Sequence, residues 1–247
     1  MSTQFVGKTA LVTGGSKGIG AATSLLLAQN GANVVINYSS DSNVADEIVK
    51  KIGDDRALAV KGDAGSISDI EHMVSETVKR FGKIDILIPC AGILLMRDLE
   101  HTTEEDFDTL MRLNVKGPYF LAQKAAPHMP SGSHIVLISS SQCVQSVVTP
   151  PYLLYTASKG AIEQMTRVMS KELLTKGICV NAVAPGPTGT DMFNKGKTEQ
   201  MLKFIAGFSP TGRIGKPEEI AEAIVWLSGG QSGWVSGQVL RANGGSS

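Results

Sequence analysis

Seven short apolar runs punctuate the chain: Thr9–Thr13 (TALVT), Asn33–Asn37 (NVVIN), Ala57–Val60 (ALAV), Ile86–Ile88 (ILI), His134–Ser139 (HIVLIS), Cys179–Ala184 (CVNAVA) and Gln238–Ala242 (QVLRA). Their Val and Ile content and their lack of polar alternation predict strands buried on both faces. Between them, apolar residues recur at helical spacing over 18–30, 42–52, 67–81, 103–128, 153–176 and 217–229. Ser and Asp stand ahead of the 42–52 pattern, and Pro217 with two acids opens the last one, as helix starts should. Strand and helix in alternation imply βαβ units with right-handed crossovers. The predicted fold is α/β: one doubly wound, Rossmann-type domain over residues 1–247, with a seven-stranded, mostly parallel sheet and helices on both faces. The least regular stretch, about 186–213, is rich in Gly, Pro and Thr and reads as a flap over a pocket.

Composition narrows the functions open to such a domain. The 247 residues carry 23 basic and 23 acidic side chains, so no net field draws nucleic acid or an anionic membrane, and neither is expected as a partner. No apolar run approaches the ~20 residues of a membrane span. Three cysteines, Cys90, Cys143 and Cys179, show no CxxC spacing, which points away from a disulfide framework or zinc site and toward a reducing, cytoplasmic compartment. His72, His101, His128 and His134 lack metal-ligand spacing, and no metal is expected.

Two stretches carry chemistry. TGGSKGIG (13–20) lies between the first strand and the first helix. Gly14, Gly18 and Gly20, with Ser16, Lys17 and Ile19 among them, let backbone approach a diphosphate at a helix N-terminus. The second strand ends in Asn37, Tyr38, Ser39 and Ser40, with no acid before Asp41. A carboxylate there would bind a ribose 2′-hydroxyl, whereas neutral donors accept a 2′-phosphate and Lys17 adds a charge-assisted bond. NADP(H) is therefore expected over NAD(H). The second stretch is YTASK (155–159). On a helix, Tyr155 and Lys159 share a face, and an adjacent ammonium lowers a phenol's pKa, so Tyr155 is expected to exchange a proton near neutrality.

Ordered along the chain, TGGSKGIG, Ala91–Gly92 after the fourth strand, LNVKG (113–117), ISSS (138–141), YTASK, VNAVAPGPTGTDM (180–192) and GQVLRANGG resemble the short-chain dehydrogenase/reductase family over nearly the whole length. The flap, the SSS segment and GWVSGQVL look most like the fungal hydroxynaphthalene and versicolorin reductases. The resemblance implies Tyr155 as general acid toward a ketone, and as base in the reverse direction. Lys159 would lower the Tyr155 pKa and hold the nicotinamide ribose. Ser140 would donate to the substrate oxygen, and Asn114 would keep a water linking Lys159 to solvent. Thr188 and Thr190, after Pro185 and Gly186, would fix the carboxamide; Asp63 and Ala64 would meet the adenine; Ala91 and Gly92 would border the cofactor. A homotetramer or homodimer is implied, paired through the 103–128 and 153–176 helices.

The chain departs from the family pattern in two places. Pro89 and Cys90 replace the amide-bearing residues usual before the Ala-Gly pair, so the strands there must be tied differently; Cys90 reads as a small buried residue. Ser140 stands fifteen residues before Tyr155, outside the usual interval, where Gln142 sits instead. Counted from the strand end Ser140 matches, and Ser141 is the alternative. Ser141, Gln142, Cys143, Tyr152, Met192 and Phe193 are expected around the substrate, in a pocket formed by 142–154 and the 187–208 flap with Val147, Val148 and Leu153 among its apolar walls. The reaction expected is NADPH-dependent reduction of a ketone of moderate size, such as a hydroxyaromatic or cyclic ketone, or oxidation of the secondary alcohol. The alternatives are a 3-oxoacyl-carrier-protein reductase, using Lys195, Lys197, Lys203 and Arg213 at the rim, and a cofactor-binding regulator without turnover.

Overall fold

The computed structural model describes residues 4–246. Seven strands, β1 (Thr9–Thr13), β2 (Asn33–Tyr38), β3 (Ala57–Lys61), β4 (Ile86–Pro89), β5 (Ser133–Ile138), β6 (Ile178–Pro185) and β7 (Val239–Ala242), form one sheet in the order β3-β2-β1-β4-β5-β6-β7. Every pair is parallel, where a mostly parallel sheet was expected. Parallel neighbours need crossovers, and these are supplied by α1 (Gly18–Gln29), α2 (Ser42–Ile52), α3 (Ile67–Phe81), α4 (Glu104–Met111), α5 (Gly117–Ala125), α6 (Leu153–Leu173) and α9 (Pro217–Leu227).

The apolar runs divide by parity. Val12, Val34, Ile36, Ile86, Ile88, Val136 and Val183 face one layer with Leu27, Ile48, Ile220 and Ile224 of α1, α2 and α9. Their sequence neighbours Leu11, Val35, Leu87, Ile135, Leu137 and Val180 face the other, with Ile70, Met73, Leu121 and Ile162 of α3, α5 and α6. Side chains alternate faces along a strand, so an unbroken apolar run is what a sheet covered on both sides requires. Each fully buried aliphatic side chain contributes roughly 1.5–3 kcal/mol.

One expectation about helices is corrected. The pattern over 103–128 is not one helix: α4 and α5 are separated by a π-turn, Arg112–Lys116, and a 3-10 turn closes it at Ala126–His128. Pro118 has no N–H, so the carbonyl of Asn114 loses its i+4 donor and the helix widens there. The 186–213 stretch, read as Gly, Pro and Thr around a short amphipathic piece, holds two short helices, α7 (Asp191–Asn194) and α8 (Glu199–Ala206), capped by the Thr190 and Thr198 hydroxyls. Its neck is pinned by Gly189 donating to Gly215 O and Gly215 donating to Pro187 O, each at 2.9 Å.

The strand order reverses about β1, with β2 and β3 on one side and β4 to β7 on the other. Crossovers diverge at such a switch point and leave a crevice beyond the carboxyl ends of the strands.

Candidate active site

A cleft of about 710 Å³ occupies that crevice. It runs from the glycine turn after β1 to the segment after β5, the start of α6 and the flap.

At one end, the N-terminus of α1 has no side-chain cap, whereas α2, α3 and α4 are capped by Asp41, Ser66 and Thr103. Uncapped N–H groups at a helix start suit an anion. The turn is also stripped of side-chain volume. A Cβ on Gly14 would stand 2.9 Å from Ala91 Cα, and one on Gly20 would collide with Gly14 O. An open donor set and a close backbone approach together fit the diphosphate of a dinucleotide. Ser16, Lys17, Gly18 and Ile19 line the same end.

Asn37 is placed differently from the expectation. It is 2% exposed, and its amide is engaged by backbone: Oδ1 accepts from Gly14 N at 3.2 Å, while Nδ2 donates to Gly62 O at 2.9 Å and lies within 3.4 Å of Val60 O and Tyr38 O. It ties the glycine turn to β2 and β3 and has no free donor for a phosphate. Ser39 and Ser40 are exposed at the cleft edge beside Tyr38. Lys17 ion-pairs with Asp41 at 3.3 Å, and both are solvent-facing, so the pair is weak and exchangeable. Asp41 was read only as a helix start; it also lines the cleft.

Asp63 and Ala64 border the cleft beyond β3. The Asp63 carboxyl accepts from Gly65 N and from Arg112, and these bonds hold it below the usual carboxylate range against partial burial. Ala91 and Gly92 form the facing wall. The missing amide before them is replaced by Thr13, whose hydroxyl accepts from Ala91 N at 3.3 Å. Cys90 lines the wall as well, and burial pushes its thiol up to about 11, which leaves it protonated and unreactive. Pro185, Gly186, Thr188 and Thr190 close this side. Thr188 donates to Gly186 O at 2.8 Å.

The first turns of α6 place Tyr155 and Lys159 on one face at the cleft floor. Their electrostatics differ from the expectation. Burial dominates the phenol and pushes it up to about 12, the nearby Ser140 hydroxyl opposing the rise. Lys159 Nζ is 5.8 Å from the ring centroid and donates instead to Ile138 O at 2.8 Å. Burial pulls Lys159 down to about 8. In the protein alone, Tyr155 is thus a neutral phenol, because desolvation outweighs a cation committed to a backbone carbonyl.

Ser140 and Tyr155 both line this end of the cleft. The Ser140 oxygen accepts from Gln142 N at 3.3 Å, at the start of the 3-10 turn Ser141–Cys143. Ser141, Gln142, Tyr152, Met192 and Phe193 all line the cleft. Cys143 stands behind the wall, with its thiol against Thr156 O and Ser139 and raised by burial. Asn114 also stands behind it, 1% exposed; its amide accepts from Ile93 N and donates to Ile93 O, both at 2.9 Å, and donates to Ser158 Oγ at 3.2 Å. Val147, Val148 and Leu153, expected as pocket walls, are instead exposed and outside the cleft. The apolar wall is built by Ile93, Leu94 and Leu113, which the sequence reading missed because they lie in a loop and a π-turn without periodicity. Gln145 was missed too; its amide donates to Ser246 Oγ at 3.2 Å, while Ser209 of the flap donates to Gly244 O at 2.7 Å, so the chain's last described residues touch both walls.

Residues 14–247 match a family model described as enoyl-(acyl carrier protein) reductase. The chain is 39% identical to versicolorin reductase 1 of Aspergillus parasiticus, over 97% of this chain and 96% of that protein. The chain belongs to the short-chain dehydrogenase/reductase family. Hydroxynaphthalene reductase-like protein Arp2 of Metarhizium robertsii, a further relative, is 38% identical over 98% of this chain and 96% of its own. A short-chain dehydrogenase of Burkholderia cenocepacia, solved in complex with NADP, superposes with a TM-score of 0.92 at 32% identity, covering 98% of this chain and 99% of that chain. Membership makes the chain an oxidoreductase of Rossmann type. Among the described residues, no helix is long and apolar enough to cross a membrane.

Proposed function

We propose that this short-chain dehydrogenase/reductase is an NADP(H)-dependent carbonyl reductase that protonates its substrate oxygen from Tyr155. The observation that carries the reading is the convergence of Ser140, Tyr155 and Lys159 on one cleft, with Tyr155 and Lys159 one turn apart on α6. A phenol raised to about 12 is fully protonated at neutral pH, which suits a group that must give a proton to a ketone oxygen. Ser140 donates to the same oxygen and holds it in line, while the Lys159 ammonium stabilises the phenolate left behind. When bound, the nicotinamide supplies the hydride. Ser39, Ser40 and Lys17 are the exposed donors at the far end that would meet a 2′-phosphate, with Lys17 leaving Asp41 to do so. The NADP complex of the Burkholderia cenocepacia relative and the reductase names of the fungal relatives support the cofactor and the direction.

The substrate end combines Ile93, Leu94, Met192 and Phe193 with the polar Ser141, Gln142 and Tyr152, a lining suited to a cyclic or hydroxyaromatic ketone. The acyl-carrier reading needs a basic rim. Of the four cations named for it, Arg213 is paired through both guanidinium arms with Glu219, while the solvent-facing Lys203–Glu199 pair is as exchangeable as Lys17–Asp41, so the β-keto thioester is kept among the ketones tested. Exposed Phe107, Tyr119 and Val168 on α4, α5 and α6 support association of copies through these helices, which light scattering on the purified protein would read.

The test is oxidation of NADPH, with NADH in parallel, against cyclic, aromatic and β-keto thioester ketones. Turnover that prefers NADPH and is lost in Tyr155→Phe is the expected result. An NADH preference overturns the cofactor assignment, and tight NADPH binding without turnover favours the regulator.

A further inference from the structure

Four buried side-chain atoms among the described residues have no hydrogen-bond partner: Thr9 Oγ1, His134 Nδ1, Thr156 Oγ1 and Gln142 Oε1. Of these four residues only Gln142 lines the cleft. Its backbone N–H is used by Ser140, but its side-chain amide bonds to nothing in the described protein. Gln145, on the same wall, shows the contrast, with its amide held by Ser246. A shielded, unpaired carbonyl oxygen bears its full desolvation cost, and buried polar groups are nearly always paired. At a cleft wall the missing partner is a donor on the ligand.

We propose that Gln142 is a specificity-determining residue that accepts a hydrogen bond from a substrate hydroxyl set near the reacting carbonyl. The proposal rests on the carbonyl-reductase reading for the identity of that carbonyl. Ser140 and Tyr155, which line the same cleft, mark where the carbonyl oxygen sits, and Gln142 follows Ser140 by two residues, its Cα within roughly 7 Å of that of Ser140. Two ligand oxygens bonded to these neighbours belong on one ring or on fused rings. A hydroxyl also serves both ends of an amide, donating to its oxygen and accepting from its nitrogen.

The experiment compares 1-tetralone with its ring-hydroxylated derivatives on the wild type, Gln142→Leu and Gln142→Glu, by kcat/KM with NADPH and by calorimetric binding of the same ketones. A β-keto thioester of pantetheine, whose amide N–H groups are alternative donors, is the third ligand. The wild type is expected to favour one hydroxylated derivative by about tenfold or more in both readouts. Gln142→Leu should erase that preference, read as the ratio of kcat/KM on the hydroxylated and plain ketones, and Gln142→Glu, which retains an acceptor, should preserve the ratio. An unchanged preference in Gln142→Leu, an equal loss on both ketones, or a Gln142-dependent preference for the pantetheine thioester overturns the assignment. A binding preference without turnover leaves Gln142 assigned and overturns the reductase reading; turnover without hydroxyl preference does the reverse.

Discussion

The Lys159 ammonium donates to the Ile138 carbonyl at 2.8 Å, which joins the second turn of α6 to the last residue of β5. The bond holds a charge where burial disfavours it, so the same lysine is both the positive end of the site and its most pH-sensitive member.

Ketone reduction should therefore fall as pH rises through about 8, where Lys159 loses its proton, long before Tyr155 at about 12 can titrate. The measurement is kcat/KM for the ketone at saturating NADPH from pH 6 to 10. A profile flat to pH 10 would show that the ammonium is not needed.

Stability should respond to the same group with the opposite sign. The folded pKa lies below the ordinary 10.5, so the unfolded chain binds more protons between about 8 and 10.5, and the wild type gains stability across that window. The shift corresponds to roughly 3 kcal/mol. Lys159→Met lacks the term, so its stability relative to wild type should drop by about that amount from pH 8 to 10.5. Denaturant melts at the two ends read it, and a constant difference would refute the burial argument.

The two serines should separate by kinetics. Ser140→Ala removes the hydroxyl that shares the cleft with Tyr155 and is expected to lower kcat by about 10²-fold or more. Ser141→Ala, at a buried position with no bond to the phenol, should retain most of the rate. The reverse order would move the role to Ser141.

Asn114→Leu should cost about 1–3 kcal/mol, since Ile93 N and O lose their partner in a buried setting. Thermal melts check it, and an unchanged midpoint would mean that the loop after β4 is held by other contacts.

The fold was legible because a sheet covered on both faces writes itself as apolar runs, and all seven runs became strands within one residue at most bounds. The catalytic spacing was legible because i and i+4 share a helix face. The sign of the phenol's shift was not, because it depends on burial and on the lysine's choice of Ile138, neither of which is carried by spacing. The break at Asn114 was signalled by Pro118 and overlooked. Val147, Val148 and Leu153 were misplaced because loop residues have no period from which to infer a facing.

Asn37 leaves a consequence for divergence within the family. The end of the second strand is the site at which an acid selects NAD(H) by binding the ribose hydroxyls. In this chain that position is a keystone: its amide nitrogen donates to the carbonyls around β3 while its oxygen receives Gly14 N. Asn37→Asp would keep the acceptor, lose the donor and set a carboxylate against two carbonyl oxygens. A single exchange there loosens the glycine turn before it can change which cofactor is chosen, so altered preference has to come through the exposed pair Ser39 and Ser40, which hold nothing else in place.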